Sequence, residues 1–88
     1  MTLQATDTIT FTNAILMTHN GVGLTAQAGN NIFVNASITT LGGNVLLSAN
    51  DPGGTHAGTG TITIAAPIAT NGGAQTGGTI TLNTNGST

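Results

Sequence analysis

Acid–base or metal chemistry in this 88-residue chain would rest on four side chains: Asp7, His19, Asp51 and His56. A metal centre needs three or four converging ligands with supporting hydrogen bonds behind them. Cysteine is absent, and Asp51 is the one acid near a histidine in sequence, five residues before His56. Glycoside cleavage asks for a pair of carboxylates flanking one bond, whereas Asp7 and Asp51 are far apart in the chain. Lyase chemistry needs a base beside a cationic group, and there is no Lys, Arg, Tyr or Cys to supply one. Both histidines read as solvated loop residues, His19 at a corner and His56 in an insertion. The Gly21-Val22-Gly23 run lacks the third glycine and following helix of a dinucleotide site. The expectation is therefore a chain that is not an enzyme and takes no metal or cofactor.

Charge excludes further classes. A soluble domain carries roughly a quarter of its residues as charges; here the charged residues are 2% and the polarity comes from nineteen threonines, asparagine and glycine. Without a cation the chain cannot neutralise phosphate, so nucleic acid and anionic membrane surfaces are not expected partners. No apolar run reaches the ~20 residues of a membrane span, and Met1 to Asp7 lacks the basic and apolar regions of a signal peptide. Disorder fits poorly, because it favours high charge and low hydrophobicity. Ordered assembly fits better.

The elements that would position any site are set by an internal repeat. Thr8-Ile9-Thr10-Phe11 with Ile15 is echoed by Asn31-Ile32-Phe33-Val34 with Ile38, and again by Thr61-Ile62-Thr63-Ile64 with Ile68. Ile9 to Ile32, Ile15 to Ile38, Val22 to Val45 and Leu24 to Leu47 are each 23 residues apart. An insertion over 51–60 and a smaller one around 74–78 account for the longer third copy. Alternating apolar residues, β-branched side chains and frequent glycine predict short strands with one buried side. Asn20-Gly21, Gly29-Asn30, Gly42-Gly43 and Gly72-Gly73 mark corners that accept a left-handed backbone.

Three strands and three corners per repeat close into a triangular coil, and stacked coils pair each strand in parallel with its copy. The predicted fold is all-β: a three-sided parallel β-solenoid of about three coils of ~23 residues, right-handed by the crossover rule. One domain spans 1–88, with a partial coil at 1–7, repeats at about 8–30, 31–60 and 61–83, and a polar tail at 84–88. The predicted inward columns are Ile9/Ile32/Ile62, Phe11/Val34/Ile64, Ile15/Ile38/Ile68, Val22/Val45/Ile80 and Leu3/Leu24/Leu47/Leu82, with Ala26 and Ala49 also inward.

The run Asn30-Asn31-Ile32-x-Val34-Asn35-Ala36-x-Ile38-Thr39-Thr40-x-Gly42-Gly43-Asn44-Val45-x-Leu47-x-Ala49 resembles the repeats of filamentous haemagglutinin-like proteins. Those are large bacterial surface and secreted proteins built on right-handed parallel β-helices, many exported by two-partner secretion and many acting as adhesins or surface fibres. The resemblance implies a scaffold module at the cell surface or outside the cell. The missing charges, with no edge lysine and no capping helix in the sequence, make other copies of the chain the expected partner, end to end, with lateral contact as a second mode.

Outward features carry the remaining expectations. The 51–60 excursion, with Asp51, Pro52, Thr55 and His56, is the expected interaction loop if the chain is an adhesin module that binds a glycan or surface receptor. Leu16, Phe33 and Leu46 are expected outward, as lateral contacts between solenoids. The Thr-x-Thr triplets at 8–10, 61–63 and 79–81 suggest an ice-binding face, which Asn31 and Phe33 on one side and Leu46 and Ser48 on the other interrupt.

Overall fold

The computed structural model describes residues 1–50, 60–71 and 77–84. Ten short strands run in chain order: β1 (Thr2–Ala5), β2 (Ile9–Phe11), β3 (Ile15–Asn20), β4 (Leu24–Ala28), β5 (Ile32–Val34), β6 (Ile38–Leu41), β7 (Val45–Ser48), β8 (Ile62–Ile64), β9 (Ile68–Ala69) and β10 (Ile80–Asn83). They form three parallel sheets ordered β1-β4-β7-β10, β2-β5-β8 and β3-β6-β9, hereafter the first, second and third faces. Every third strand joins the same sheet, so the chain is a three-sided parallel β-solenoid. The described residues include no helix.

Inward and outward positions separate by alternation. Ile32, Val34, Ile38, Val45 and Leu47 of the central coil are fully buried, while Phe33, Thr39 and Leu46 between them are half-buried on the outside. Backbone pairing follows one rule around the coil. The N–H of an inward residue donates to the coil above, to the carbonyl of the residue preceding its stacked partner. Ile9 donates to Asn31 (3.0 Å), Ile15 to Ser37 (2.9 Å), Leu24 to Asn44 (2.8 Å), Ile32 to Thr61 (2.9 Å) and Val45 to Thr79 (2.8 Å). Inward residues thus direct their backbone groups toward the C-terminal end of the stack, and outward residues toward the N-terminal end.

The second and third faces keep the expected columns, Ile9-Ile32-Ile62, Phe11-Val34-Ile64 and Ile15-Ile38-Ile68. The first face does not. Leu24, not Val22, stacks on Val45, and Ala26, not Leu24, stacks on Leu47. The true columns are Leu24-Val45-Ile80 and Leu3-Ala26-Leu47-Leu82, and Val22 is 39% exposed at the corner. The cause is in β3, where Leu16 pairs with Thr39 and Asn20 with Leu41. Four steps (20 − 16) oppose two (41 − 39), so two extra residues are absorbed in a bulge. The coil without its bulge is therefore 21 residues (45 − 24), not 23.

Corners are closed by side chains, some bridging coils and some bonding within one coil. The Asn31 Oδ1 accepts from the Thr61 N–H (2.9 Å), and the Asn44 Oδ1 from the Thr79 N–H (2.8 Å). The fully buried Thr40 donates its hydroxyl to the Gly43 carbonyl (2.7 Å), and Thr70, one coil on, does the same to Gly78 (2.9 Å). These bonds matter because an unpaired buried polar group costs ~1–3 kcal/mol; no buried side-chain N or O among the described residues lacks a partner. Gly21 and Gly42 adopt positive φ, 78° and 83°, as turn glycines do. Gly29 does not. Among the described residues the third with a left-handed backbone is Asn50 (φ 51°); the expected corner Gly72-Gly73 lies outside the described residues. At Gly43 the constraint is space: a Cβ there would collide with the Val22 carbonyl of the coil below.

Candidate functional site

The chemistry-bearing residues do not converge among the described residues. Asp7 is exposed at a corner, where its Oδ1 accepts from the Asn30 Nδ2 (3.1 Å) and the Thr8 hydroxyl (3.2 Å). It ties the first coil to the second, as the corner asparagines do higher up. His19 is exposed within the bulged part of β3 rather than in a free loop. No group of three or more His, Cys, Asp or Glu is gathered among the described residues. Asp51, Pro52, Thr55 and His56 lie outside the described residues.

Leu16, Phe33 and Leu46 all point outward, as expected, yet the fold does not bring them together. Leu16 stands on the third face beside Thr39, Phe33 on the second between Thr10 and Thr63, and Leu46 on the first between Thr25 and Thr81. Leu16 is exposed, whereas Phe33 and Leu46 are half-buried. A single lateral patch built from all three is ruled out by this geometry. The threonine columns are broken where the sequence places Phe33 and Leu46. On the first face the Gln4 side-chain amide donates to that of Gln27 (2.7 Å), a single stacked pair that ends at Ser48 in the next coil.

The ends of the stack are the surfaces least satisfied by the chain itself. At the C-terminal end the inward columns finish on Ile64 (42% exposed), Ile80 (43%) and Leu82 (49%), with Ile62 and Ile68 half-buried beside them. The upward-directed N–H groups of Ile62, Ile68 and Ile80 have no coil above them among the described residues. At the N-terminal end the matching surface starts at Met1, whose carbonyl accepts from Thr25 (2.8 Å) and whose amino group donates to Gly23 (3.0 Å). By alternation Met1 falls on Leu3's side, continuing the Leu24-Val45-Ile80 column downward. Sequence patterning placed the first strand at Leu3 and missed Met1; the signal was the Met1-x-Leu3-x-Ala5 alternation.

The two ends are complementary by construction. One presents the N–H and C=O groups of inward residues, the other those of outward residues, which is the pairing made inside the molecule between successive coils. Edges of this kind, with no lysine to blunt them, are templates for another strand. None of the described residues forms a helix, and so none forms one long and apolar enough to cross a membrane. No family model, no curated protein and no solved structure matches the chain.

Proposed function

We propose that this chain is a structural building block: a self-assembling segment of an extracellular or cell-surface fibre made by stacking β-solenoid coils on copies of itself. The observation that carries this reading is the pair of open ends. One leaves Ile64, Ile80 and Leu82 exposed with no coil above them among the described residues, and the other offers the matching edge and the apolar Met1 and Leu3. Solenoids that remain single units cover their terminal coils with polar caps, and the described residues hold none. The near absence of charge supports the same reading, since no like-charge repulsion opposes contact between copies. The resemblance of the 30–49 run to haemagglutinin-like repeats supports the surface location and the scaffold role.

Sedimentation velocity of the purified chain, with negative-stain microscopy of the same sample, tests the proposal. Large assemblies and thin unbranched filaments are the expected result. A sharp 8.6 kDa monomer at moderate concentration, with blank grids, would overturn it.

A further inference from the structure

Among the described residues the first face has four strands and the other two have three. The solenoid is thus three coils and one surplus strand, and this mismatch decides how two copies can join. If the β1 of a second copy sits on β10, the second and third faces each miss one strand at the junction. Ile62, Ile64 and Ile68 would then face an empty slot instead of a packed column, and voids of that kind are costly in an interior. Only one ladder would form. A 21-residue coil has a perimeter of roughly 70 Å at the strand rise, so an end face covers on the order of 300 Å². Two such faces bury about 600 Å² in total, against the ~1,200 Å² of a stable specific interface.

Resting on the self-assembly reading, we infer that copies join head to tail by strand exchange: the second copy's β1 takes the place of β10 on β7, and β10 is displaced. The surplus strand is then removed and all three faces run on without a gap. The incoming strand fits the vacated columns. In the register that β10 now uses, Met1 comes to stand on Val45, Leu3 on Leu47 and Ala5 on Ala49. Ile80 and Leu82 are thereby replaced by apolar residues of similar size, and the Ala49 N–H passes from the Asn83 carbonyl (2.8 Å) to that of the incoming Gln4. β10 is also the strand most easily given up. All four of its residues are exposed, whereas β1 alternates exposed and half-buried. One ladder is exchanged for another, less the Val45 N–H bond to the Thr79 carbonyl (2.8 Å), for which Met1 offers no preceding carbonyl, and two more are gained, the incoming β2 on β8 and β3 on β9.

Hydrogen exchange on the unmodified chain reads the inference directly, comparing dilute with assembled protein. Exchange predicts that the amides of Thr81 and Asn83 lose at least tenfold in protection on assembly while Thr2 and Gln4 gain it; retained protection at Thr81 would overturn it. Cysteine cross-linking gives the register, since the chain has no cysteine of its own. Thr2→Cys/Leu46→Cys should form a ladder of disulfide-linked multimers on oxidation, because the incoming Thr2 lies beside Leu46. Within one chain these positions are two ladders apart, ~9–10 Å, beyond the ~4.4–6.8 Å between Cα atoms that a disulfide spans. A ladder from Thr2→Cys/Thr81→Cys instead would mean that β10 stays in place, overturning strand exchange while self-assembly stands. Large assemblies with neither ladder would overturn it as well. A monomeric parent chain would instead remove the self-assembly reading itself.

Discussion

Phe11 and Ile64 stand in one column, two coils apart and with Val34 between them, yet Phe11 is 4% exposed and Ile64 42%. Both point inward and both belong to terminal coils. What separates them is reach. The Phe11 ring and the Met17 side chain, the latter on a strand lengthened by its bulge, are both long and both buried in the first coil. Branched aliphatic side chains at the other end, Ile64, Ile80 and Leu82, fill only their own level. Direction is set by alternation, but burial at an end differs from residue to residue: Met1, at the same end as Phe11, is 53% exposed. One end of the stack is therefore partly self-sealing and the other is not.

Substitutions can break or sharpen that contrast. The largest effect is expected from Ile38→Asp, between the two ends, which puts an unpaired charge at a fully buried position. It should abolish the β-sheet signal in far-ultraviolet circular dichroism, whereas Leu82→Asp at the open end should leave it largely intact. Next, Phe11→Ala should cost about 3–5 kcal/mol in denaturant unfolding, the range for a buried ring. Ile64→Ala in the same column should cost about 1 kcal/mol in dilute solution, because much of that side chain is already in water. If copies stack, the Ile64 penalty grows with protein concentration, since assembly is linked to stability. Equal penalties in dilute protein would dissolve the distinction between the ends.

Smaller effects test the layers between. Gly43→Ala forces a methyl group against the Val22 carbonyl and should cost about 1–3 kcal/mol by overpacking. Thr40→Val keeps the shape but strips the Gly43 carbonyl of its hydroxyl donor, for about 1–2 kcal/mol of midpoint stability at constant m-value. Leu16→Ser, on the outside of the third face, should change stability by less than ~0.5 kcal/mol.

Most of the architecture was legible from spacing, and the part that was not has a clear physical reason. The Ile9, Phe11 and Ile15 columns were readable because the chain from each to its copy carries like residues at one interval. The first face was misread by two residues. A shift of one would turn every side chain to the wrong side, but a shift of two preserves alternation. Val22 above Val45 and Leu24 above Leu47 look correct in sequence for that reason. The structure instead sets Leu24 against Val45 and Ala26 against Leu47, placing small beside large inside the prism. A bulge in β3 leaves no mark in composition that could have announced it. The four-three-three strand count was legible. The outward trio was legible only as outward, since residue type does not tell which face of a prism a side chain occupies. The open end was visible as missing caps, but its asymmetry depended on the reach of Phe11 and Met17, which only packing reveals.

The ladders join residues 21 to 35 positions apart, from Leu24 with Val45 to Val45 with Ile80, and that has a kinetic consequence. Closing the first coil must order some twenty residues before a single ladder bond repays the loss of chain entropy. Every later coil grows on an edge that already exists. Folding is then slow to start and quick to spread, and the free edge of one finished molecule can serve the next as its starting coil. A fresh solution would show a lag before order appears, and a trace of preformed material would abolish it.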